Sequence, residues 1–288
     1  MAGRRRNTKA VLEAIGAAVL FSTGGAAIKA AAFSGMQVAS IRSGIAALVL
    51  LLWLRGRVTW SAPALGIAVV YAATLTLFVT ATKLTTAANA IFLQSAAPLY
   101  IAVLAPRLLG ERFRPRDLGF MSAVAAGLAL CVAGGAEATT TAPDPAAGNV
   151  LGAICGVTWA LTLMGLRWGA RQHAGTAISA VVIGNLIAFL VGLPLLWPVP
   201  TASVGDWAAL GYLGVFQIAG AYILLTRAVG HLPALHVSLL LLLEPVLNPM
   251  WTWLLRGETP GVWTLVGGAI IVAATAGQAV NDTRSTAA

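Results

Sequence analysis

The chain of 288 residues is 59% hydrophobic and only 9% charged, with a mean hydropathy of +0.87, whereas soluble domains carry roughly 25% charged residues. This composition excludes an ordinary soluble domain, and helix-length apolar runs in place of alternating short strands exclude a membrane β-barrel. The formal charge of +9 does not indicate nucleic-acid binding, because the basic residues sit in short loops between apolar runs and form no aromatic-studded basic surface.

Cutting the chain at charges and at Gly, Pro and polar clusters predicts helices over 10–31, 37–54, 62–82, 87–108, 117–135, 148–169, 176–196, 206–227, 233–255 and 261–280. Each is near the ~20 residues that cross a bilayer. The expected fold is therefore an all-α membrane protein of ten transmembrane helices. Arg4-Arg5-Arg6 ahead of the first apolar run has the form of a signal peptide, but a ten-helix topology needs that run as a retained helix. With the amino terminus inside, fourteen of the eighteen basic residues fall on the cytoplasmic side, from Arg4–Arg6 and Lys9 to Arg227 and Arg284. Lys29, Lys83 and Arg256 fall outside, and Arg42 lies within the second helix. Since Lys and Arg resist translocation, both termini are expected in the cytoplasm. The outer segment 136–147 carries Glu137 and Asp144 and no basic residue. Trp53, Trp60 and Trp168 lie at inner helix ends, and Trp197, Trp207, Trp251, Trp253 and Trp263 at or near outer ones, as headgroup-seeking indoles should. Trp159 alone sits near mid-helix.

Sliding the chain along itself by 147 residues, the interval between Pro98 and Pro245, also aligns Ala81 with Ala228, Ala87 with Ala234 and Gly110-Glu111 with Gly257-Glu258. This is the mark of an internal duplication. Five helices per half is an odd number, so the two Gly-Glu turns belong on opposite membrane faces and the repeats are inverted. The expected organisation is a first five-helix repeat over 1–135, an outer linker over 136–147, a second repeat over 148–280 and a cytoplasmic tail over 281–288. Inverted repeats suit secondary transport, because one half can rock against the other around a midplane site.

The run Ser95-Ala96-Ala97-Pro98 through Leu109-Gly110-Glu111, with its partner Leu243-Glu244-Pro245 through Arg256-Gly257-Glu258, resembles the paired motif of EamA-type transporters of the drug/metabolite transporter superfamily, YddG-like amino-acid exporters in particular. The resemblance implies a ten-helix bundle with a central cavity, export of small metabolites and a bacterial plasma-membrane location. It carries over to Pro98, Glu111, Glu244, Pro245 and Glu258. The two glutamates at helix ends, Glu111 and Glu258, are expected to cap helices or pair with arginines.

Of nine carboxylates, Glu244 alone lies deep in an apolar run. An ionised carboxylate there costs several kcal/mol, so it must be protonated, paired or facing water. Two readings follow: Glu244 recognises a substrate amine or exchanges a proton, or it hydrogen-bonds backbone freed beside Pro245. Asn248, one turn on, shares its helix face. His236 and Asn89 occupy equivalent repeat positions, and Gln94 adds a polar group deeper in its helix. Each is a candidate ligand group or interhelical glue. Arg42 can clamp a carboxylate or snorkel to the surface, and Trp159 can stack on a substrate or pack. Pro98, Pro245 and Pro249 remove amide donors, so their helices are expected to bend there as hinges. The stripe Gly148, Gly152, Gly156 reads as a helix-packing seam.

No Walker-type Gly-Lys-Ser/Thr sequence is present, and the histidines at 173, 231 and 236 and the two cysteines have no metal-ligand spacing. No metal or cofactor is expected. The expected partners are a small-molecule substrate and the lipid bilayer, with proton coupling through Glu244. The function reading is a secondary exporter, of amino acids first, with sugar or nucleotide derivatives as the alternative transport substrates. A membrane-embedded enzyme would need paired aspartates, a zinc motif or a nucleophile with a base, and the sequence has none of these.

Overall fold

A computed structural model describes residues 2–110, 117–133, 140–173, 175–257, 259 and 261–287. The described residues are helical almost throughout, without strands. In chain order the helices are α1 (Ala2–Ser22), α2 (Gly24–Ala30), α3 (Gly35–Trp53), α4 (Ala62–Leu84), α5 (Ala87–Gln94), α6 (Ala97–Leu108) and α7 (Asp117–Ala133). They continue as α8 (Pro145–Gln172), α9 (Thr176–Gly192), α10 (Val204–Tyr212), α11 (Ala221–His231), α12 (Ala234–Leu240), α13 (Leu243–Arg256) and α14 (Val262–Ala287). A π-helical stretch, Leu213–Gly220, joins α10 to α11 without a break.

Several of these helices start where short polar side chains satisfy the first free amides. Ser34 accepts from the amide of Gln37, whose side chain accepts from the Ser34 amide in return; Ser203 and Asp206 form the same box. Ser61, Thr86 and Asp144 cap α4, α5 and α8. The glycine of each Gly-Glu pair explains half of that motif. Gly110 and Gly257 follow α6 and α13 with φ of +67° and +65°, the left-handed turn that ends helices at little cost only for glycine. Glu111 and Glu258 lie outside the described residues.

Eight helical stretches among the described residues are long and apolar enough to cross a membrane, α1–α2, α5–α6, α10–α11 and α12–α13 each counting as one. The expectation of ten is thus met at eight. The remaining two, α7 and α14, pack against each other; α7 spans 17 residues, and α14, with an apolar core at Leu265–Ala274, runs on as helix through the segment expected to be a tail.

Four spans are divided or irregular along their length. α5 and α6 part at Ser95-Ala96, just before Pro98, and α12 and α13 part at Leu241-Leu242, just before Pro245. Each proline sits in the first turn of the second piece, where a missing N–H costs least. α1 and α2 part at Thr23, and α10–α11 carries the π stretch.

The packing is largely between halves: α4 lies against α8 and α9, and α3 against α9 and the π stretch. The glycine stripe of α8 is the seam expected of it. A Cβ on Gly148 would lie 2.6 Å from the Thr85 amide nitrogen, and one on Gly156 would lie 2.8 Å from the Leu93 carbonyl oxygen. These are backbone approaches that only glycine permits.

Candidate functional site

The divided spans surround a central cavity. Phe21 of α1, Arg42 of α3, Thr74, Leu75 and Phe78 of α4, Gln94 of α5 and Trp159 of α8 line it, with Gln217 and Ile218 of the π stretch, Tyr222 of α11 and Glu244 of α13. A smaller adjoining hollow, between the two proline breaks, shares Gln94, Trp159 and Glu244 and adds Ser95, Pro98 and Ser238. The main cavity leaves about 30 Å³ for the centre of a water molecule, room for a water or two and for no metabolite. In this structure the cavity is closed to a metabolite-sized solute.

The cavity holds two buried ionisable side chains. Arg42 is 1% exposed and does not snorkel. Its Nη1 donates to Gln217 Oε1 at 3.1 Å and its Nη2 to the Leu75 carbonyl at 3.3 Å, while Nε has no partner among the described residues. Glu244, 4% exposed, sits in the first turn of α13. Among the described residues neither pairs with the other or with any other charge; the ion pair seen is at the rim, Arg227 to Glu13 at 4.0 Å. Cys155, buried on α8, hydrogen-bonds the cavity side chain of Gln94, Sγ to Oε1 at 3.2 Å.

Four of the lining side chains, Phe21, Phe78, Trp159 and Tyr222, are aromatic. Tyr222 meets Phe21 and Tyr71 edge to face at centroid distances of 5.0 and 4.7 Å, and Trp159 meets Phe21 at 6.1 Å. Tyr71 is fixed from behind by Asn185, whose amide donates to its hydroxyl at 2.9 Å. Such a box presents ring faces and edges to a solute and holds its shape through packing.

Arg42, Gln94, Trp159 and Glu244, chosen from sequence alone, thus meet at one cavity. The other three candidates lie elsewhere. Asn89 donates to Asn149 Oδ1 at 3.2 Å, which also accepts from Thr85 at 2.9 Å, tying α5 to α8. Asn248 is buried against Gly25, and neither of its amide atoms has a partner among the described residues. His236 is half-buried on α12, away from the cavity lining. Pro98 and Pro245 adjoin the breaks and Pro249 lies inside α13. Phe21, Thr74, Phe78, Gln217 and Tyr222 are among the lining groups that sequence reasoning passed over. Gln217 carried a signal, a lone amide inside the apolar run Leu213–Gly220. No group of His, Cys, Asp and Glu that could hold a metal occurs among the described residues.

The pattern of the EamA-like transporter family matches the chain twice, over residues 8–133 and again over 146–278. The chain belongs to the EamA-like transporter family. That membership puts it among multi-pass membrane transporters and not among enzymes. This family member is similar to the pseudopaline exporter CntI of two Pseudomonas aeruginosa strains, 28% identical over 191 residues, or 65% of this chain. The match spans 64% of the exporters' length, just under two thirds. It is also similar to an uncharacterized transporter of Archaeoglobus fulgidus, 27% identical over 209 residues and 73% of each chain. A protein of known crystal structure shares the fold, with a TM-score of 0.69 over 96% of this chain and 98% of that one at 22% identity.

Proposed function

We propose that this EamA-family protein is a secondary exporter of small zwitterionic metabolites, amino acids first among them, working by alternating access through the central cavity. The observation that carries the reading is a buried guanidinium and a buried carboxylate in one cavity, Arg42 and Glu244, each without an opposite charge among the described residues. Burying a charge uncompensated costs several kcal/mol, a cost that a ligand with a carboxylate for Arg42 and an ammonium for Glu244 would offset from both ends. The aromatic walls suit an ammonium or an apolar side chain.

The repeat argues that Glu244 serves the ligand and not the fold. Its counterpart in the first half, beside Pro98, is Ala97, equally buried at 2%, so a proline break does not call for a carboxylate. When substrate leaves, a proton is the smallest cation that can take its place on Glu244, and this exchange is the proposed coupling. The two family matches and the two proline breaks support ten spans in two inverted repeats, 1–135 and 148–280, linked through 136–147. The excess of basic residues on one side supports a bacterial inner-membrane protein with both termini cytoplasmic. Similarity to a pseudopaline exporter supports export as the direction.

Sugar or nucleotide derivatives fit less well, because a phosphate-bearing substrate asks for several cations and Arg42 is the one that lines the cavity. Counterflow in proteoliposomes with a panel of amino acids and sugars tests the reading. Uptake confined to amino acids is expected; counterflow with sugars alone overturns it.

A further inference from the structure

The group that occupies the face of Arg42 in the closed form is a neutral amide, and its seat is built by irregular backbone. Gln217 is 2% exposed and lies in the π-helical stretch. The extra residue per turn of such a stretch rotates side chains out of the ordinary helical register, and these stretches concentrate at functional sites. One glycine makes room for the Gln217 side chain and another lets the π stretch approach α3. A Cβ on Gly24 would lie 2.8 Å from Gln217 Nε2, and one on Gly214 would lie 2.9 Å from the backbone oxygen of Arg42 and 2.6 Å from Ile45 Cβ. Gly24 begins α2, at the break in the first span, so the amide, the break and the π stretch form one contact.

An amide oxygen copies one oxygen of a carboxylate in shape and lacks its charge. A carboxylate on a guanidinium adds a full opposite charge and can accept two parallel N–H bonds, where the amide offers one neutral acceptor. We propose that Gln217 is a positioning residue that sets specificity: its amide oxygen keeps the place on Arg42 that a substrate carboxylate takes on loading. Neutrality is what lets it yield. A carboxylated substrate displaces the weaker acceptor, whereas an amine without a carboxylate has nothing to offer Arg42 and leaves the contact shut. Once the substrate has gone, Gln217 returns and the cavity closes. This rests on the reading of Arg42 and Glu244 as the two poles of a zwitterion site.

The test uses the full chain in proteoliposomes with Gln217→Glu, which keeps the shape and adds the charge, and Gln217→Ala, which removes the place-holder. The first arm needs no substrate. In a Cys131→Ala background Cys155 is the remaining thiol, and its alkylation by N-ethylmaleimide reports how often the cavity opens. We expect alkylation about tenfold slower in Gln217→Glu, where the pair with Arg42 is charged on both sides, and severalfold faster in Gln217→Ala. The second arm compares leucine with 3-methylbutylamine, the same molecule without its carboxylate. The parent protein should take up leucine and little of the amine; Gln217→Glu should lose leucine uptake about tenfold or more, and Gln217→Ala should gain amine uptake severalfold, which narrows the leucine-to-amine ratio; a merely structural role would lower both uptakes together. Equal alkylation rates in all three proteins overturn the place-holder role, and an unchanged leucine-to-amine ratio in Gln217→Ala overturns the role in specificity. If alkylation shifts as expected while the parent protein takes up no amino acid, the place-holder role stands and the amino-acid reading falls.

Discussion

Arg42→Met should leave the protein as stable as before, or more so, while crippling it as a transporter. The arginine spends two of its five N–H donors on Gln217 and the Leu75 carbonyl, and its Nε meets no partner among the described residues. Removing it relieves a buried charge whose cost is several kcal/mol. Against that stands one orphaned acceptor, Gln217 Oε1, at about 1–3 kcal/mol. Leu75 lies inside α4, where the helix ladder serves its carbonyl. Methionine fills a similar apolar volume, so the balance on folding is neutral or favourable. For binding the balance is reversed. Two hydrogen bonds from a guanidinium to a substrate carboxylate contribute about 1.5–3 kcal/mol each, so even at the low end the loss is about 3 kcal/mol, or roughly 150-fold in apparent affinity. Thermal melting of the purified protein and concentration-dependent counterflow of a radiolabelled amino acid measure the two sides. A melting temperature lowered by several degrees with apparent affinity unchanged would make Arg42 a structural residue and remove one pole of the site.

Glu244→Gln should fold normally and either abolish transport or free it from pH; flux with the parent's pH profile would take Glu244 out of the coupling. Gly156→Ala should destabilise by about 1–3 kcal/mol through overpacking, since the new methyl would meet the Leu93 carbonyl oxygen at 2.8 Å, whereas Gly66→Ala, with nothing within 4 Å in the second turn of α4, should stabilise by up to about 1 kcal/mol. Paired melts read both, and equal effects would refute the seam. Pro245→Ala offers the Leu241 carbonyl a helical donor across the α12–α13 break. We expect slower exchange at undiminished stability, and undiminished exchange would count against a hinge there.

The sequence was most informative where one residue type has one physical use. Apolar runs set off by charges marked the spans, prolines marked the breaks in α5–α6 and α12–α13, and a glycine every fourth residue marked the seam of α8. A carboxylate inside an apolar run singled out Glu244. The inward direction of Arg42 was not legible, because in a span buried by protein on one side and lipid on the other a lone arginine is equally compatible with the surface and the core. Tyr222 and Phe21 look like any membrane aromatic until packing brings them face to edge. Gln217 lies on a π stretch, where the 3.6-residue periodicity used to assign faces no longer applies. Asn89 and Gln94 looked alike on paper, and only the position of Asn149 on the neighbouring helix separates a tie between helices from a cavity group. The break at Thr23 lacks a proline, so only Gly24-Gly25 hinted at it.

The way α4 nests between α8 and α9 has a bearing on how the protein is made. Residues synthesised first have their principal neighbours among residues that leave the ribosome much later, so the amino-terminal portion must wait in the bilayer with its alanine and glycine surfaces against lipid. Severing the polypeptide within 136–147 should accordingly yield two pieces that are degraded when produced singly and recover one another when produced in the same cell.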